Sequence, residues 1–223
     1  MTAAVMPGAH GLRGVLLVLE GIDRSGRSTH AALLEERLRQ AGRGVARTSL
    51  TTSLLAADAI RRAKRDGPAD AVQMALLYAA DLAERIEQLV LPSLRAGLVV
   101  IVDRYCWTPM ARAEARGVDR DWLAALFSFV PTPDAVLFLD VDAETSLTRH
   151  DRDPDPYEAG VDLGLSTDLR ESYRLYQARL ATCFDRYAAA AGFTRVAAAD
   201  SSDDVGPRVI LAAQAVLDER AAR

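Results

Sequence analysis

The stretch at residues 20–30, Glu-Gly-Ile-Asp-Arg-Ser-Gly-Arg-Ser-Thr-His, constrains this chain more than any other. Ahead of it Val15, Leu16, Leu17, Val18 and Leu19 form an apolar run too short for a helix, which reads as a buried strand. Behind it an amphipathic run through Gln40 carries Ala31, Leu34, Leu38 and Ala41 on one stripe, with Glu35, Glu36, Arg37 and Arg39 off it. Strand, glycine loop and helix in that order are the context that a phosphate-binding loop of the form G-x-x-x-x-G-K-[ST] requires. Gly21 and Gly26 keep its spacing, and Ser28 keeps its hydroxyl. The glycines let successive backbone N–H groups turn inward around phosphate oxygens, and the helix presents its positive end to them. The alternative for the same residues is a plain glycine turn between strand and helix.

Arg27 stands where the pattern has lysine. The chain holds one lysine, Lys64, among 27 cationic residues, so the exchange fits a general preference for arginine. It still changes the chemistry, because lysine is a compact point charge and arginine a longer planar fork.

At 223 residues the chain is long enough for one large α/β domain or two small ones, and no linker divides it after a loose leader at 1–14. Half the residues are hydrophobic, enough for a substantial core. A net charge of −4 argues against a nucleic-acid partner held by a strongly basic surface. No apolar run reaches the roughly 18 residues of a membrane span. Cys106 and Cys183 make neither a disulfide framework nor a metal set, which suits a reducing compartment and the cytoplasm.

Further along, 45–49 is a modest second strand, and a helix over 55–65 is expected to stop near Gly67-Pro68. A long helical pattern over 71–94 carries Met74, Leu77, Tyr78, Leu82, Ile86 and Leu89, with Pro92 bending its last turn. Residues 98–102, apolar throughout, predict a central parallel strand, and Asp103 at its carboxyl end is where a magnesium-binding aspartate belongs beside a phosphate loop. A short helix over 121–130, a strand over 135–139 and a helix over 143–149 follow. Residues 150–166 are too polar and broken for the core, and a connection this long is functional or disordered. A helix over 167–191, a strand over 193–197 and a closing helix from 205 complete an α/β reading: a parallel sheet of about five strands with helices on both faces.

Glu-Gly-Ile-Asp-Arg-Ser-Gly-Arg-Ser-Thr, then Tyr-Ala-Ala-Asp-Leu-Ala-Glu-Arg, Val-Val-Ile-Val-Asp-Arg-Tyr and Pro-Asp-Ala-Val-Leu-Phe-Leu-Asp-Val, from Val15 to about Tyr187, resemble the thymidylate kinase family. The resemblance implies the P-loop nucleoside-monophosphate kinase fold, ATP with Mg2+ as donor, a nucleoside monophosphate as acceptor and a homodimer. It places the donor phosphates on Gly21, Asp23, Arg24, Ser25, Gly26, Arg27, Ser28 and Thr29, and Mg2+ on Ser28 and Asp103. Arg104 grips the acceptor phosphate, which a guanidinium matches in a bidentate way. Asp23 contacts the acceptor near its sugar or phosphate. Arg24 resembles the loop arginine of eukaryotic-type enzymes and Arg149 and Arg152 the lid arginines of bacterial ones, the lid lying at about 150–166.

On the acceptor side Tyr78 stands for the phenylalanine that stacks on thymine, and Leu82 for the arginine that hydrogen-bonds the base. Thr108-Pro109-Met110-Ala111-Arg112 replaces the usual residues near deoxyribose and base, and Arg47-Thr48-Ser49-Leu50 replaces an Arg-Glu-Pro-Gly-Gly loop. A lost donor at a buried polar edge costs about 1–3 kcal/mol of preference. Two classes of function follow: an ATP-dependent kinase for dTMP or a related monophosphate, and a kinase-descended nucleotide-binding protein with little turnover.

Overall fold

The computed structural model describes residues 10–65 and 70–222. Its centre is a five-stranded parallel sheet in the order β2-β3-β1-β4-β5, from Val45–Ser49 (β2), Val99–Asp103 (β3), Val15–Glu20 (β1), Ala135–Asp140 (β4) and Thr194–Ala197 (β5). β1 and β3 are buried at every position because successive side chains enter opposite layers. Leu16, Val18, Val100 and Val102 face a layer with Tyr78, Leu82, Met110 and Phe184, whereas Leu17, Leu19, Val99 and Ile101 face Leu34, Leu38, Val209 and Leu217. The first layer is made by α3 (Ala71–Arg85), α5 (Trp107–Glu114) and α8 (Leu169–Ala191), the second by α1 (Arg27–Gln40) and α9 (Ser202–Ala221). The remaining helices are α2 (Ala57–Arg65), α4 (Leu91–Arg95), α6 (Arg120–Leu126) and α7 (Ala143–Thr148).

The sheet bears out the α/β reading, and several local expectations are corrected. The long helix over 71–94 is three pieces: α3, one π turn at Ile86–Val90, and α4 with Pro92 in its first turn. Proline lacks an N–H and crowds the carbonyl four residues back, and a widened turn relieves both. α5 went unanticipated because Pro109 reads as a breaker, yet it lies in the first turn, where its missing N–H costs nothing. α9 begins at Ser202 because Ser201 caps it, three residues before the expected start. The expected stop at Gly67-Pro68 and the leader's first nine residues lie outside the described residues. His10 in the leader is held by Asp134 at 2.9 Å, and Leu12 and Gly14 accept hydrogen bonds from Arg220. Residues 157–160, expected to be too polar to pack, do pack: Tyr157 and Ala159 are buried, and Gly160 lies against the Tyr176 ring.

Candidate active site

β1 delivers Gly21 to the carboxyl edge of the sheet. A Cβ there would lie 2.6 Å from Ser25 Oγ and 2.8 Å from the Leu139 carbonyl, so only glycine lets the loop close. Gly26 (φ 92°) is left-handed, and α1 starts behind it with no side-chain cap and no acid in its first turn, which leaves the helix's positive end open to an anion. A cavity of about 500 Å³ opens over residues 23–29, walled by Arg104, Arg149 and the segment from Ala198 to Ser202. That size suits a nucleotide.

Ser28 Oγ donates to Asp103 Oδ2 at 2.5 Å, while Asp103 Oδ1 is buried without a hydrogen-bond partner among the described residues. A hydroxyl and a carboxylate oxygen at one point fit Mg2+, which keeps several waters and takes one or two protein oxygens with substrate phosphates. No group of three His, Cys, Asp or Glu side chains offers a fuller cage among the described residues.

Arg27 lines the cavity, but its guanidinium is turned to the loop's own backbone. Its side chain is 4 % exposed, folded under the loop, with Nη1 donating to the Gly21 and Ile22 carbonyls and to Ser25 Oγ (2.7 Å), and Nε 3.5 Å from Asp103. Burial, then the nearby Arg104 charge, pushes its pKa down to about 10 against the opposing pull of Asp103, Asp23 and Glu20, so it stays charged near neutrality. Here the arginine braces the loop from inside.

Arg104 (φ 70°) holds a conformation uncommon for a residue with a side chain, its N–H donating to the Leu19 carbonyl. Its guanidinium reaches Asp23 Oδ1 at 3.3 Å. Asp23 is held from several directions: its N–H donates to Gln177 Oε1 (2.9 Å), its carbonyl accepts from Ser146 Oγ (2.7 Å), and its carboxylate lies 3.3 Å from the Tyr173 hydroxyl and 3.7 Å from His150 Nε2. Behind this pair, buried Glu20 accepts from Tyr105 N (2.9 Å), Thr108 N (3.1 Å) and Thr108 Oγ1 (2.6 Å), and burial raises its pKa. Glu20 thereby ties the end of β1 to the start of α5 and fixes the turn that aims Arg104. A charged residue ending an apolar strand was the one signal for it in the sequence.

Arg24 is exposed at the mouth. Arg149 spends its guanidinium on backbone: Nη1 donates to the Arg24 carbonyl, and Nη2 to the carbonyls of Ala198, Ala199 and Asp200 at 2.6–3.2 Å. It therefore couples the phosphate loop to the far wall. Arg152 is exposed and makes no hydrogen bond or ion pair among the described residues.

On the acceptor side Tyr78 is buried, its hydroxyl accepting from Arg112 Nη1 at 3.0 Å. Arg112 Nη2 donates to both Glu158 oxygens (2.6 and 2.7 Å), and Lys64 Nζ reaches the same carboxylate at 2.9 Å. These charges hold Glu158 well below the usual carboxylate range despite its burial, and Arg104 acts on it too. The structure thus pairs Asp23 with Arg104 and Tyr78 with Arg112. It does not bring two other candidates to them: Leu82 is wholly buried in the core, and Arg47 pairs with Glu35 of α1.

Two buried histidines flank the loop. Burial lowers the pKa of His30 and of His150, and an arginine adds to it in each case, Arg149 on His30 and Arg24 on His150, with Asp23 opposing on His150. The unfolded chain takes up these protons as pH falls below 6.5, whereas the folded chain resists until its lower values are reached, so stability drops on acidification and is level above. Replacing both with glutamine is expected to flatten the fall in Tm between about pH 7 and about pH 5. An unchanged slope in thermal melts would exclude them as its source.

The family model for thymidylate kinase matches residues 19–204. The chain belongs to the thymidylate kinase family. A protein of Saccharolobus solfataricus named "Probable thymidylate kinase 2" is 36% identical over 180 residues, 79% of this chain and 84% of that protein. "Probable thymidylate kinase" of Pyrococcus horikoshii is 41% identical over 144 residues, 62% and 70% of the two chains. "Thymidylate kinase" of Xanthomonas campestris pv. campestris is 35% identical over 149 residues, 67% and 63%. As a thymidylate kinase family member the chain is a phosphotransferase acting on a nucleoside monophosphate, with ATP as donor. Its sheet and loop are the P-loop kinase fold. Among the described residues no helix is long and apolar enough to cross a membrane.

Proposed function

We propose that the chain transfers the γ-phosphoryl group of ATP to dTMP, yielding ADP and dTDP. The observation that carries this reading is the convergence of the open end of α1, the Ser28–Asp103 pair and the Asp23–Arg104 pair at one edge of the sheet. The backbone N–H groups of 21–29 hold the donor phosphates, and Arg149 keeps that loop against the adenosine side of the cavity. Arg104, oriented by Asp23, grips the acceptor phosphate. Ser28 and Asp103 would hold Mg2+, which when bound neutralises charge on the transferring group. Positioning and charge then suffice without a covalent intermediate. Tyr78 and Arg112, buried against each other and against Glu158, form the wall behind the acceptor base. Residues 150–166, tethered through Glu158, act as the lid that excludes water within one kinase unit at 15–223. We assign a homodimer to the exposed apolar side chains of Val72 and Leu76, one turn apart on α3, and the cytoplasm to a chain with two free cysteines.

The test is coupled ADP release across dTMP, dUMP, dCMP, dAMP and dGMP, for wild type, Arg27→Lys and Arg27→Ala. dTMP is expected to give the highest kcat/KM, and Arg27→Lys to keep or raise turnover, because an ammonium can serve the same loop carbonyls while its compact charge suits the phosphates. Arg27→Ala is expected to lose about a hundredfold or more. If neither wild type nor Arg27→Lys releases ADP with any monophosphate while ATP still binds, the chain is a binding protein instead.

A further inference from the structure

A second cavity, about 760 Å³, lies at the free edge of the sheet, between β2 with the loop after it and the end of α3. It shares no lining residue with the cavity over the phosphate loop. Arg85 gives it chemical character. This side chain is 4 % exposed; its Nε donates to Asp81 at 2.9 Å, and Nη1 and Nη2 are buried with no hydrogen-bond partner among the described residues.

A guanidinium left with unmatched N–H groups is unfavourable, more so than a neutral donor in the same place. The carboxylates at hand are already engaged. Asp81 accepts from Thr51 N (3.0 Å) and Ser53 N (2.9 Å) as well as from Arg85, and Glu84 accepts from Leu54 N (3.1 Å) and Leu55 N (2.9 Å). Donors remain at this wall: Arg85, whose Nη groups lie just beneath it without a partner among the described residues, the Nη groups of Arg47, whose Nε is held by Glu35, and the hydroxyls of Ser49 and of Thr48, the latter 3.4 Å from Thr52 Oγ1. Donors of this kind, with arginine forks among them, match an oxyanion. A bare oxyanion would fill little of the space, and Leu54 and Leu89 give it an apolar side, so the occupant carries an organic body as well as a phosphate.

We propose that this cavity is a second nucleotide site, separate from the phosphoryl-transfer site, that binds the phosphate of a nucleotide through Arg85 and Arg47. It adjoins the chemistry, since Ser49 pairs in register with Asp103 and the Leu50 N–H donates to the Asp103 carbonyl at 3.1 Å. A ligand there would act on the strand beside Asp103.

The probe is labelled dTTP in equilibrium dialysis against the full chain with Mg2+, ADP and dTMP saturating. Wild type is expected to retain one bound equivalent, and Arg85→Met and Arg47→Ala to weaken it by about tenfold or more. Arg47→Ala, at the surface, reports on the same site if Arg85→Met fails to fold. No retained equivalent, or one that ignores both substitutions and so belongs to the transfer site, overturns the proposal. Inorganic phosphate is expected to compete only weakly; phosphate that binds as tightly as dTTP would overturn the nucleotide as ligand.

Discussion

Asp103→Asn should lower kcat with ATP and dTMP by about a hundred- to a thousandfold while leaving the fold intact. The substitution keeps volume and shape, so β3 and its register with β1 and β2 are undisturbed. It removes the negative charge that faces Ser28 Oγ and lies 3.5 Å from Arg27 Nε. Two effects then add. A neutral amide is a poor ligand for the cation that the Ser28–Asp103 pair fits, and Arg27 loses a counter-charge in a buried place. The Mg2+ concentration for half-maximal rate is expected to rise as well, which separates a ligand role from general loss of fold. A variant that keeps its kcat within about tenfold, with an unmoved Mg2+ midpoint, would reduce Asp103 to a strand-end residue.

The largest effect on stability is expected from Asp81→Ala. Asp81 is wholly buried and meets Arg85 and two backbone N–H groups of the loop after β2. Removing one partner of a buried pair leaves the other charge uncompensated, at a cost of about 3–5 kcal/mol. The loop over 51–55 should loosen with it, because half of its carboxylate anchors are gone. Replacing both partners with leucine should recover most of the loss, since an apolar pair leaves no charge unmatched. Denaturant titrations of the single and double variants measure both numbers. A single variant within about 1 kcal/mol of wild type would show that water satisfies Arg85 without Asp81.

Asp103 was legible in the sequence and Asp81 was not, for one physical reason. The phosphate loop and the Asp103-Arg104 turn each follow a strand that is apolar at every position, so strand, turn and chemistry are written in consecutive residues. β1, β3 and β4 could be read for the same cause, whereas the edge strand β2, only half-buried, gave a weak signal. The surroundings of Asp23 come from residues 123 to 154 positions away: Ser146, Tyr173 and Gln177. No spacing rule links these, and each looks like ordinary helix surface until α7 and α8 pack. Arg112 and Glu158, 46 positions apart, give no sign of pairing in the sequence, because only folding turns residues 157–160 back against α5. Arg27 shows the limit within a motif: the residue was correctly located, but the direction of its side chain depends on carbonyls that only the closed loop gathers.

The chain's single lysine has a practical consequence for covalent labelling. Many nucleotide-binding loops are inactivated by reagents that attack amines, because the loop's own cation is a lysine. Here that position is a guanidinium turned beneath the backbone, and cyanate or an acid anhydride finds its only side-chain amine at Lys64, 23 % exposed on the Glu158 carboxylate. Carbamylation there would erase one charge from the Lys64–Glu158 pair and leave the side chains of residues 21–29 unmodified. Side-chain amine chemistry thus becomes a handle on the Glu158 region, away from the phosphate loop.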